Sequence, residues 1–135
     1  MMDWLFGIHA RPISGNIHEI TITGYGPADV GPYDELRRHV GPASGLECHH
    51  IVEQEHLRLV PTRFTLQNAP AVAIPWSLHR RLLSPRLTAE QRYLGGRHGG
   101  RVLVVTQELL EFYKEAYTWH TPFRELYTIA QHVLR

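Results

Sequence analysis

Cys48-His49-His50-Ile51-Val52-Glu53-Gln54, followed by Ile74-Pro75-Trp76-Ser77-Leu78-His79-Arg80, is the part of the chain whose reading decides the rest. Leu46 to Val52 reads as a short strand or turn carrying the histidine pair. Ala71-Val72-Ala73-Ile74 reads as a second strand closed by Pro75, and Trp76 to Leu83 as a helix that starts just after it. Adjacent side chains on a strand point to opposite faces, so His49 and His50 are not expected to bind one ion together. One metal ligand, His49, and one base, His50, is the natural division. His79, in the first turn of the helix, can reach back toward the same ion. Two protein ligands leave positions open for water and a phosphate oxygen, as a catalytic site needs and a closed structural zinc site avoids. Histidine suits the base role because its ordinary pKa lies near neutrality. Together these parts suit metal-assisted hydrolysis of a phosphodiester.

Outward from this core, Ile17 to Thr23 is β-branched and partly alternating and reads as a strand ended by Gly24. Gly24-Tyr25-Gly26-Pro27, with Gly31-Pro32 soon after, reads as loop punctuation. Tyr33 to Val40 reads as a short helix with Pro32 at its first position and Gly41-Pro42 stopping it. Thr88-Ala89-Glu90-Gln91 has capping-box spacing and opens a short helix that Gly95-Gly96 should end. Val102 to Val105 fits either a helix or a strand. Leu109, Phe112, Tyr113, Ala116 and Tyr117 recur at helical spacing after a Thr106 cap. Phe123, Leu126, Tyr127, Ala130, Val133 and Leu134 repeat the pattern after Thr121-Pro122. Both aromatic stripes read as core packing rather than as a base-stacking platform.

At 135 residues, 43% hydrophobic and 20% charged, the chain has the make-up of one ordinary globular domain rather than a disordered one. The single cysteine, Cys48, excludes an intramolecular disulfide and a four-cysteine zinc cluster, and suits a reducing compartment. No apolar run approaches the roughly 20 residues that span a bilayer. Met1 to Ile8 lacks the basic start and long apolar stretch of a signal peptide.

Net charge is only +1, but it is segregated. Arg80, Arg81, Arg86, Arg92, Arg97 and Arg101 face a single acid, Glu90, over residues 76–101, whereas acids outnumber arginines in the first 45. Such segregation can make a local phosphate-binding face on a nearly neutral protein, and a solvated arginine-rich surface is the equal rival. Gly95-Gly96-Arg97-His98-Gly99-Gly100-Arg101 has no Gly-Lys-Ser/Thr, so it is not a P-loop, and a surface loop is the favoured reading. His9, His18, His39, His98, His120 and His132 read as ordinary residues, and Cys48 as a small core residue. His56 fits no His-Glu-x-x-His zinc pattern.

His49-His50-Ile51-Val52-Glu53-Gln54, Ile74-Pro75 and Leu78-His79-Arg80 resemble the HNH/endonuclease VII-type nuclease domains of bacterial polymorphic toxins. Those domains are often the C-terminal parts of secreted Rhs-type or contact-dependent effectors. The resemblance covers roughly residues 46–84. It implies an α+β protein with a small ββα-metal finger (46–84) embedded in a mainly helical single domain. Residues 1–45 would form a strand and loop region of the same domain, and residues 85–135 its helical C-terminal region. By the same resemblance His49 and His79 hold one divalent ion (Mg, Mn, Ni or Zn) and His50 is the general base. Asn68 is the nearest candidate for the asparagine that orients the base or its loop, and Glu53 is a further ligand or an orienting group. The extra ligand sometimes found four residues after the last histidine is missing, since Leu83 stands there.

Arg80, Arg81, Arg86, Arg97 and Arg101 are the expected nucleic-acid contacts, with DNA favoured over RNA by analogy. The expected setting is the cytoplasm of a producing or target bacterial cell, reached as part of a larger effector, with a cognate immunity protein as partner and no membrane. The rival reading is a non-catalytic zinc-binding or protein-interaction module.

Overall fold

The computed structural model describes residues 3–60, 62–79, 106–119 and 123–135. Strands β1 (Ala10–Ser14), β2 (Ile17–Ile22), β3 (Gly26–Pro32), β4 (Leu46–His50) and β5 (Pro70–Pro75) form one sheet in the order β1-β2-β3-β5-β4. Every pairing is antiparallel. The helices are α1 (Tyr33–Val40), α2 (Gln54–Leu59), α3 (Trp76–Leu78), α4 (Thr106–Lys114) and α5 (Arg124–Leu134), and α4 runs on into a π-helical turn, Glu115–Trp119. The fold is α+β. The N-terminal strands join the histidine-bearing pair through β3 and β5, so one sheet runs through the whole fold.

Reading Gly24-Tyr25-Gly26-Pro27 and Gly31-Pro32 as loop punctuation missed β3, which lies inside the sheet. Glycine and proline normally mark turns, and a strand rarely tolerates a missing N–H. Here β3 pairs with β2 over Gly26 to Val30 but with β5 only from Val30 to Pro32. Pro27 therefore sits where one side of the strand is open. A Cβ at Gly31 would meet Ile17 Cδ1 at 2.5 Å, so a larger residue there would have to push that buried side chain aside.

Alternation in the strands divides the core. Ile20, Ile22, Val30, Val72 and Ile74 face α4 and α5, whose Leu109, Phe112, Tyr113, Tyr117, Ile129 and Val133 complete the main cluster. Ile17, Ala71 and Ala73 face the other way and pack with Leu36 of α1. Both aromatic stripes are thus core. The expected helix opening at Thr88, the glycine-rich stretch 95–101, Val102 to Val105, and the continuation of α3 to Leu83 lie outside the described residues. Among the described residues no helix is long and apolar enough to cross a membrane.

Candidate metal centre and base

β4 is the outer strand of the sheet beside β5, so its side chains reach both faces at an open edge. His49 pairs with Val72 and therefore points to the main-core face, while His50 pairs with Ala71 and points to the α1 face. α3 begins directly after β5 and carries its end back toward β4, which brings His79 to His49. His49, His50 and His79 line one cleft of about 470 Å³, together with Tyr33, Glu53 and Arg58.

The hydrogen bonds around the first pair fix the imidazole tautomers. Tyr117 donates its hydroxyl proton to the Ile51 carbonyl at 2.7 Å, so toward His49 Nε2, 3.0 Å away, it can only accept. His49 therefore carries its proton on Nε2. His79 Nδ1 lies 2.5 Å from a Glu47 carboxylate oxygen, an acceptor, and so carries its proton on Nδ1. The two remaining nitrogens, His49 Nδ1 and His79 Nε2, face each other at 3.2 Å. Two lone pairs at that distance repel unless a cation lies between them. Two nitrogens held at about 2.1 Å from one ion in tetrahedral or octahedral geometry are roughly 3.0–3.4 Å apart, so the pair fits a divalent ion. Glu47 and Tyr117 stand where the outer partners of metal-binding histidines usually stand. Burial, reinforced by His79 and His50, holds the His49 imidazole down at about 3, neutral and able to donate its lone pair.

His50 is organised separately. Its ring stacks on Tyr33 with centroids 3.9 Å apart, and its Nε2 donates to the Leu66 carbonyl at 2.8 Å. The basic lone pair is therefore on Nδ1. Burial lowers its pKa, opposed by the Leu66 hydrogen bond and the charge of Asp34. Asn68 shapes the turn that supplies this carbonyl: its Oδ1 accepts from Thr65 N at 2.7 Å, and Thr65 Oγ1 accepts from Asn68 N at 3.2 Å. The first amides of α1, Tyr33 N and Asp34 N, donate to Ala69 O and Gln67 O, which locks the turn against the helix that holds the stacking ring.

No family model, curated protein or solved structure matches the chain.

Glu53 lines the same cleft, but among the described residues no three His, Cys, Asp or Glu side chains gather as a metal cage. Its backbone N–H donates to the Tyr113 hydroxyl at 2.7 Å, which is also 2.7 Å from Nδ1 of the fully buried His56. Burial, with Glu55 adding to it, pushes the Glu53 carboxyl up to about 7. The Cys48 thiol is pushed up to about 11 by burial against a smaller pull from Arg37, so it stays protonated and is a poor ligand. Arg80, Arg81, Arg86, Arg97 and Arg101 lie outside the described residues.

Sequence reasoning missed Glu47 and Tyr117. Glu47 had a signal, because it lies two residues before His49 and so shares its strand face. Tyr117 had none beyond its place in an apolar stripe, since a buried tyrosine hydroxyl needs a partner the stripe does not name.

Proposed function

We propose that the protein is a metal-dependent endonuclease of the HNH/endonuclease VII type, of the kind found as bacterial toxin effectors, acting on nucleic acid and on DNA in preference to RNA. The observation that carries this reading is the pair of facing imidazole nitrogens, 3.2 Å apart with both outer nitrogens capped, in one cleft with an independently held histidine base. In this reading β4, β5 and α3 are the two strands and the helix of a ββα-metal finger. His49 and His79 would hold one divalent ion, which when bound would supply Lewis-acid polarisation of a phosphoryl oxygen. His50 takes the proton of the attacking water on Nδ1. The Leu66 carbonyl and the Tyr33 ring keep it in the orientation and tautomer that this requires. Asn68 acts through the turn that presents the carbonyl. A cognate immunity protein would cover the site in the producing cell.

The test is plasmid cleavage by purified protein with magnesium, manganese, nickel or zinc, with and without EDTA, beside His50→Ala. Metal-dependent nicking that disappears in folded, metal-binding His50→Ala is the expected result. A folded, metal-loaded wild type that cuts neither DNA nor RNA refutes the reading.

The 2.5 Å contact between Glu47 and His79 also supports a second reading, a non-catalytic module in which a proton on His79 Nε2 bridges to His49. Calorimetric titration with zinc separates the two: under this second reading the wild type takes up no zinc at neutral pH.

A further inference from the structure

We propose that a nucleic-acid strand lies along the β4 edge across Tyr33, with Arg37 and Arg38 of α1 on one side of His50 and Arg58 of α2 on the other as its phosphate contacts. The proposal rests on the nuclease reading but on different residues, none of them among the arginines expected from the sequence.

A second cleft, of about 840 Å³, lies between α1 and β4 and is lined by Arg37 and Arg38. It shares Tyr33 and Cys48 with the histidine cleft, which Arg58 lines, so the two clefts adjoin at the sheet edge. All three arginines are exposed. Among the described residues none of them forms an ion pair. Arg11, Arg63 and Arg124, by contrast, reach Glu19 at 3.1 Å, Asp3 at 2.7 Å and Glu125 at 3.9 Å. Arg37 and Cys48 line the same cleft, so the Arg37 head lies beside β4. The cleft walls also carry Asp34, Glu47, Glu53 and Glu55, of which Glu47 is tied to His79, so the attraction is local to the three guanidinium heads rather than spread over the surface.

Guanidinium forks match phosphate oxygens and hold a backbone without reading its sequence. A strand crossing from the Arg37–Arg38 side to Arg58 would pass over Tyr33 and the cleft containing His50.

The experiment is fluorescence anisotropy of the full chain in EDTA with labelled single-stranded and duplex DNA oligonucleotides, over a salt series. The proteins are wild type, Arg37→Glu/Arg38→Glu, the milder Arg37→Gln/Arg38→Gln, Arg58→Glu and the control Arg11→Glu, each checked for folding by circular dichroism. Each lost phosphate contact should flatten the slope of log affinity against log salt by about 0.7–0.9. Binding at low salt should weaken about tenfold or more in the double variants, and Arg11→Glu should bind as wild type. Metal-dependent cleavage with binding untouched by these substitutions overturns the proposal and leaves the nuclease reading standing. Binding that depends on the three arginines without cleavage under any metal does the reverse. A wild type that binds neither oligonucleotide overturns the proposal. So does a polyglutamate peptide that competes as well as the DNA, which would mark the clefts as a site for an acidic protein.

Discussion

Replacing Tyr117 by phenylalanine removes one buried oxygen and should weaken divalent-metal binding about 10–100-fold, or roughly 1.4–2.7 kcal/mol. In the wild type the hydroxyl is committed to the Ile51 carbonyl and leaves only an acceptor for His49 Nε2–H, so the Nδ1 lone pair must face His79. Phenylalanine leaves that N–H without an acceptor in a buried position, which costs about 1–3 kcal/mol. His49 escapes the cost by moving its proton to Nδ1, where His79 Nε2 accepts it. The position a metal ion would take is then occupied by a proton that binding must displace. Thermal unfolding should show a loss of about 1 kcal/mol from the missing Tyr117–Ile51 bond, too little to unfold the protein. Calorimetric titration with zinc or manganese reads the affinity. Long-range nitrogen–proton NMR of the metal-free protein reads the tautomer directly, and should find the His49 proton on Nε2 in wild type and on Nδ1 in Tyr117→Phe. Unchanged metal affinity in the folded variant, or a wild-type proton on Nδ1, would refute the reasoning.

Asn68→Ala should leave metal affinity as it is and lower the cleavage rate about tenfold or more, because the turn that presents Leu66 O to His50 loosens while the two ligands are untouched. A parallel loss of metal binding would show that Asn68 supports the whole site instead. Glu53→Gln tests the buried carboxyl. Its folded value, about 7, lies above the ordinary one, so its contribution to stability is present below about pH 4.5 and lost as pH rises through 7. In EDTA the variant should match wild type near pH 4 and exceed it at pH 8 by about 1–3 kcal/mol in denaturant unfolding. Equal stability at both pH values would contradict the burial argument. His49 has the opposite sign: held at about 3, it contributes stability that is full above pH 6.5 and lost as pH falls toward 3. His49→Phe, which cannot take up that proton, should therefore show a flatter loss of stability between pH 6.5 and 4, measured by the same unfolding.

Local pattern in the chain was enough for several parts of this protein. Helical spacing of Leu109 to Tyr117 and of Phe123 to Leu134 locates α4 and α5, because an apolar stripe has to be buried wherever the helix lies. Strand alternation sends His49 and His50 to opposite faces, since the pleat depends only on neighbouring residues. Other parts depend on contacts that no window of sequence contains. β3 holds its strand among glycines and prolines because β2 and β5 supply its ladder from outside. The tautomer of His49 is set by a hydroxyl 68 residues away, brought there by the packing of α4 and its π turn against the sheet. Arg37 and Arg38 of α1 and Arg58 of α2 line adjoining clefts only because the fold brings residues distant in sequence to Tyr33 and Cys48. Periodicity shows which face a residue turns to the interior, and tertiary packing decides what it meets there.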